Sequence, residues 1–132
     1  MVEQDALDIL CEVFDTRIED VMASRDGLSY TAYDHEGYPV GAVIYEVYTK
    51  DEPLPFVYLQ WLGVRYVGVG IGGHILRHLH QQFPTLWFSL SCRKNNTNAL
   101  AFYKHFGYEI TGDLPGCPDF YHLQRQPEQE LT

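Results

Sequence analysis

Apolar side chains recur at three- and four-residue spacing through Ala6, Ile9, Leu10, Val13, Phe14, Ile18, Val21 and Met22. That spacing predicts an amphipathic helix, or a broken helical pair, over residues 3–24. The pattern then changes. Leu28–Tyr33 and Val40–Tyr48 are short runs rich in apolar and aromatic residues, set either side of the turn formers Asp34-His35-Glu36-Gly37, and they predict two strands of a hairpin with its tip in water. Pro53 and Pro55 break the chain before a third strand, Phe56–Val64. After a cluster of glycines, Ile71, Ile75, Leu76, Leu79 and Phe83 mark one face of a helix that Pro84 stops. Leu86–Cys92 is short and aromatic enough for a buried strand, and Ala99, Phe102, Tyr103 and Phe106 mark a second short helix closed by Gly107. Tyr108–Thr111 and Phe120–Gln124 supply two last strands.

The order of helix, three strands, helix, strand, helix and two strands predicts an α/β (α+β) fold, with a mixed, mostly antiparallel central sheet flanked by helices. At 132 residues and 45% hydrophobic composition, one domain over residues 1–125 buries a single core, and Gln126–Thr132 forms a polar tail. There is no room for a separate substrate domain, so one site is expected to hold all reactants. No apolar run approaches the roughly 18 residues of a membrane span, and residues 1–8 have neither the basic start nor the apolar stretch of a signal peptide. A cytoplasmic protein without a membrane partner is expected.

Charge narrows the choice of partner. A formal net charge of -9 argues against nucleic acid, whose phosphates demand Lys and Arg. Residues 1–52 hold thirteen of the eighteen carboxylates, and none occurs from Pro53 to Tyr108, where Arg65, Arg77, Arg93, Lys94 and Lys104 lie. A basic island within an acidic chain suits a polyanionic small molecule, and the acidic remainder suits a cationic partner. Cys11, Cys92 and Cys117 are an odd number without metal-ligand spacing, so they are expected as reduced thiols, Cys92 being the one that could face the site. His74 and His78 are four apart on a helix, but Ile75 stands where a zinc protease motif has its glutamate and no third ligand is indicated. They are expected on the surface, with no metal; His80, His105 and His122 carry no signal.

A strand, glycine turn, helix and strand in succession form a right-handed crossover that aims the amides of the turn and of the first helical residues at one point. An anion belongs there. Side chains at Gly68, Gly70 and Gly72 would hold a diphosphate away from those amides, and such turns often need positive φ. Gly68-x-Gly70-x-x-Gly73 also matches the dinucleotide fingerprint. Cys92 and Arg93, however, stand where a nicotinamide site has an acidic residue for the ribose. Arg93 suits a 2′-phosphate, so dinucleotide binding stays open as a minor alternative.

Two segments resemble the GCN5-related N-acetyltransferase superfamily. Val67-Gly68-Val69-Gly70-Ile71-Gly72 resembles its Gln/Arg-x-x-Gly-x-Gly/Ala turn, and Asn96-x-x-Ala99-x-x-x-Tyr103-x-x-x-Gly107-Tyr108 resembles its second element. The likeness spans about residues 28–125. It implies an acyl-coenzyme A N-acyltransferase fold whose first strand is missing here, which leaves one sheet edge open or covered by a second copy. It implies acetyl-coenzyme A as co-substrate, with no metal, and an amine as acceptor. By resemblance, Val67, Gly68, Val69, Gly70, Ile71, Gly72 and Gly73 cradle the diphosphate, while Leu62, Gly63 and Val64 on the strand pair with the pantetheine arm and polarise the thioester. Asn96 contacts the pantetheine from the other side, and Tyr103 donates a proton to the departing thiolate. The sequence departs from the family at two points: Val67 replaces the polar head of the turn, with Arg65 two residues earlier as a substitute charge, and Ser91 occupies the position of the glutamate base of ribosomal-protein acetyltransferases. Glu46, Tyr58 and His35 are the candidates for that base. The departures keep open a non-catalytic acyl-coenzyme A-binding module or an inactive relative.

Overall fold

A computed structural model describes residues 2–22 and 27–128. Residues 23 and 24 of the predicted first helix and residues 129–132 of the polar tail lie outside it. The elements run α1 (Gln4–Phe14), α2 (Ile18–Met22), β1 (Leu28–Tyr33), β2 (Pro39–Tyr48), β3 (Phe56–Val64), α3 (Ile71–Gln82), β4 (Trp87–Arg93), α4 (Thr97–His105), β5 (Glu109–Leu114) and β6 (Cys117–Arg125). The six strands form one sheet in the order β1-β2-β3-β4-β6-β5. β3 and β4 are parallel, while β1–β2, β4–β6 and β5–β6 are antiparallel. This is the mixed, mostly antiparallel sheet expected from the order of elements, and no strand precedes α1 among the described residues.

The chain divides into two compact units, residues 1–46 with 60–82 and residues 47–59 with 83–132. In the first, Ala6, Leu7, Ile9, Leu10 and Val21 pack on Ala42 and Ile44 of β2, with Val13 and Trp61 against them. Each buried Leu, Ile or Val among them contributes about 1.5–3 kcal/mol by leaving water. Of the two expected forms the structure has the broken helical pair, because Asp15 turns left-handed at φ 48, its N–H closing on the carbonyls of Cys11 and Glu12. Polar contacts anchor the start of α1 on β1: the Tyr33 hydroxyl donates to Asp5 at 2.8 Å and the Glu3 amide to Ser29 Oγ at 3.0 Å. The histidine pair on α3 is only half on the surface. His74 is exposed, but the His78 ring stacks on Tyr30 at 3.8 Å, and the Tyr30 hydroxyl lies 3.1 Å from His74 Nε2.

In the second unit β4 is the central strand, and Phe88, Leu90, Cys92, Leu123 and Tyr108 are buried. β5 and β6 are longer than their apolar pattern predicts, because the turn at Pro115 and Gly116 lets Leu114 pair with Cys117. Cross-strand pairing draws Pro118 and Asp119 into a strand that their propensity disfavours.

Close packing at the end of β3 generates a stability test. A methyl at Gly63 would stand 2.9 Å from Phe14, 3.0 Å from Leu10 and 3.2 Å from Val13. Gly63→Ala is therefore expected to lower unfolding free energy by about 1–3 kcal/mol, the usual range for overpacking, as read from the urea midpoint.

Candidate active site

The glycine turn follows directly from β3. The Arg65 amide donates to the Val40 carbonyl at 2.7 Å, the chain then turns, and the His74 amide closes the first turn of α3 on the Gly70 carbonyl at 3.0 Å. Gly68 and Gly70 have φ of +83 and +87, a region costing other residues roughly 1–2 kcal/mol. No protein atom lies within 4 Å of a methyl built on either glycine. Their conformation and the open space beside them, rather than packing, account for glycine here. Tyr66 is 56%, Val67 89% and Val69 67% exposed, so the turn stands clear in its unit at the start of α3, where a helix presents its first amides. This arrangement fits a diphosphate held by backbone amides.

Side-chain charge at the turn is committed elsewhere. Arg65 makes a two-pronged contact with Glu12, Nε to Oε2 at 2.7 Å and a second N–H to Oε1 at 3.1 Å. The hydrogen bond to Glu12 raises the Arg65 pKa. Lys94 is likewise tied to Asp113 at 2.8 Å. Two members of the basic island thus face carboxylates, Arg65 among them.

The second unit carries the other predicted residues. Asn96 is the N-cap of α4, its Oδ1 accepting from the Ala99 amide at 3.2 Å, which leaves its amide N–H groups to donate. One helical turn further, Tyr103 lies edge-on to Phe102 at 5.3 Å and to Tyr108 at 5.6 Å. Burial, followed by the neighbouring Cys92, pushes the Tyr103 hydroxyl far above its ordinary pKa. It remains a proton donor across the whole working range of an enzyme.

The candidate bases occupy different settings. His35 sits on the exposed hairpin tip beside Glu36 at 3.6 Å. Glu46 accepts from the Gln60 amide nitrogen at 2.6 Å, and Gln60 Oε1 is buried without a partner. Tyr58 is half-buried, its hydroxyl 2.7 Å from Ser91 Oγ. That hydroxyl pair leaves no mark in the sequence, because its members lie 33 residues apart and meet only through strand pairing. Among the described residues no group of three or more His, Cys, Asp or Glu is placed to hold a metal, and no helix is long and apolar enough to cross a membrane.

Comparison with known proteins identifies the class. Residues 3–108 match the acetyltransferase (GNAT) family, and the chain belongs to that family as an acyltransferase acting on amines. No curated protein sequence matches it. Among solved structures, Naa50 of Arabidopsis thaliana, in complex with the bisubstrate analogue CoA-Ac-MVNAL, is similar at 29% identity and TM-score 0.65, over 74% of this chain and 72% of that one. Naa20 of Chaetomium thermophilum, also with a bisubstrate analogue, shares 17% identity at TM-score 0.71, over 95% and 82% of the two chains. The Thermoplasma acidophilum PaiA N-acetyltransferase with coenzyme A shares 12% at TM-score 0.68, over 93% and 91%. These last two likenesses establish the shared fold.

Two measurements follow. Arg65→Gln is expected to leave acetyl-coenzyme A affinity within about twofold, since the wild-type guanidinium already has a partner; titration calorimetry reads this. Tyr103 and Tyr108 are both raised above the ordinary tyrosine value of 10.0, chiefly by burial. Groups raised on folding contribute stability that is complete below the unfolded pKa and is lost as pH rises through the folded one. The melting temperature is therefore expected to hold from pH 7 to 9 and to fall above about pH 10, with a shallower alkaline fall in Tyr103→Phe.

Proposed function

We propose that this enzyme transfers the acetyl group of acetyl-coenzyme A to a cationic primary amine by direct attack, without a covalent enzyme intermediate. The observation that carries this reading is the open glycine turn, with Gly68 and Gly70 left-handed at the start of α3. The amides of Val67 to Gly73 hold the diphosphate. Leu62, Gly63 and Val64 receive the pantetheine arm, a backbone N–H among them polarises the thioester carbonyl, and an Asn96 side-chain N–H donates to the arm. When bound, the co-substrate supplies an activated acyl group and a thiolate leaving group. The acceptor nitrogen attacks the carbonyl carbon, the carbon–sulfur bond breaks, and Tyr103 donates its proton to the sulfur. Tyr58, hydrogen-bonded to Ser91, takes the place of the missing glutamate in drawing a proton from the amine.

The acidic first 52 residues favour a positively charged acceptor. The likeness to Naa50, captured with an acetylated peptide analogue, supports the amino terminus of a peptide as one such amine, and a polyamine is the small-molecule counterpart. Enzyme and acceptor meet in the cytoplasm. A second reading, a non-catalytic acyl-coenzyme A-binding module, is favoured by the exposed, uncharged Val67 at the head of the turn.

Acetyl-coenzyme A at about 100 times its dissociation constant should add roughly 2.7 kcal/mol to unfolding stability, and no thermal shift at millimolar concentration would remove the donor site. Thiol release with an added amine separates enzyme from binding module. Tyr103→Phe should lower kcat about 100-fold with little change in the Michaelis constant for the donor; an unchanged kcat would take Tyr103 out of its role.

A further inference from the structure

The second unit carries a row of polar side chains across four strands. Tyr58 on β3 reaches Ser91 on β4 at 2.7 Å. Ser91 is the register partner of His122 on β6, which places the two side chains on one face with Cβ atoms about 4.5–5.5 Å apart. His122 Nδ1 lies 2.6 Å from Thr111 Oγ1 on β5. We propose that His122 is the proton acceptor at the end of a relay running from Tyr58 through Ser91, and that Thr111 holds its ring in the tautomer this requires. The proposal rests on the acetyl-transfer reading above.

The tautomer follows from counting protons. A threonine hydroxyl has one proton, and Thr111 donates it to the His122 carbonyl oxygen at 3.2 Å. With that proton on the carbonyl, the 2.6 Å contact to the ring is Nδ1–H donating to Thr111 Oγ1 and Nε2 keeps its lone pair, and this is the tautomer the proposed relay uses. An imidazole nitrogen with a free lone pair accepts a proton and spreads the charge over its ring, which a hydroxyl cannot do. In the proposed relay a water joins Ser91 Oγ to Nε2. The charged side chains on the strands beside β6 are Arg93 of β4, over the Phe120 ring at 4.8 Å, and Glu109 and Asp113 of β5, the latter held by Lys94.

An acceptor arriving as an ammonium ion gives one proton to Tyr58 Oη as the tyrosine proton passes to Ser91, and the serine proton moves through the water to Nε2, leaving imidazolium to discharge to solvent. The freed amine forms its carbon–nitrogen bond and sheds a second proton along the same row. Tyr103 supplies an equivalent proton to sulfur and recovers it from solvent, so amide and thiol leave neutral. His122 acts through Ser91 and Tyr58 and is a positioning residue for proton removal.

The test is the pH dependence of kcat/KM for wild type, His122→Gln, Ser91→Ala and Thr111→Val, with acetyl-coenzyme A and either the pentapeptide Met-Val-Asn-Ala-Leu or spermidine as acceptor. His122→Gln should lower kcat/KM for the amine between about 10- and 100-fold near pH 7. Its KM for acetyl-coenzyme A should not change, and the deficit should close as pH approaches the pKa of the amine. Ser91→Ala should show the same profile and add little to His122→Gln in the double variant, and Thr111→Val should give a smaller loss of the same form. Added imidazole should restore activity to His122→Ala. A deficit equal at every pH, or no deficit, would overturn the relay while leaving acetyl transfer intact. A wild type that gains stability with acetyl-coenzyme A yet releases no thiol with either amine would overturn the transfer reading and the relay together.

Discussion

Between Val64, the last residue of β3, and Ile71, the first of α3, the chain passes from extended strand to helix with Gly68 and Gly70 in the left-handed region. The rest of the first unit is arranged around that passage. The Arg65 amide bonded to the Val40 carbonyl ends the strand at a fixed place, and the Arg65 side chain joined to Glu12 anchors the turn to α1. Beneath the strand, Gly63 admits the Phe14, Leu10 and Val13 side chains. Such contacts at its base hold the turn in place. Preorganised donors of this kind recognise an anion without reorganising when it arrives.

Removing cationic side chains from such a turn changes the character of binding more than its location. With Val67 at the head of the motif and Arg65 paired with Glu12, the proposed recognition of the diphosphate rests on backbone dipoles and on the positive end of α3. The exposed Tyr66, Val67 and Val69 give the turn an apolar outer surface in an otherwise acidic protein.

Proton donor and proton acceptor require opposite surroundings. Tyr103 is packed among Phe102 and Tyr108 with Cys92 beside it, and burial keeps its hydroxyl protonated. The row from Tyr58 and Ser91 to His122 and Thr111 leads instead to exposed Thr111 on β5, at the edge of the sheet. In the proposed reaction a proton taken up along that row has a way out, whereas one released from Tyr103 must be replaced.

The order of elements, the crossover around the glycine turn and the two family segments were legible in the chain, because periodicity, glycine spacing and helix punctuation are local. So was the place of Tyr103 on the apolar face of its helix. A broken helical pair was among the readings, but the place of the break at Asp15 was not legible, since nothing in the local spacing marks that residue for a left-handed turn. Nor were the lengths of β5 and β6, where ladder pairing overrides the weak strand preference of Pro118 and Asp119. The commitment of Arg65 to Glu12, the stacking of His78 on Tyr30 and the meetings of Tyr58 with Ser91 and of His122 with Thr111 join residues distant in sequence. Local pattern determined where helices, strands and the glycine turn lie. Only the tertiary structure decided which charges are free, which hydroxyls touch and which way an imidazole faces, because register and packing bring those groups together and neither is written in the spacing of residues along the chain.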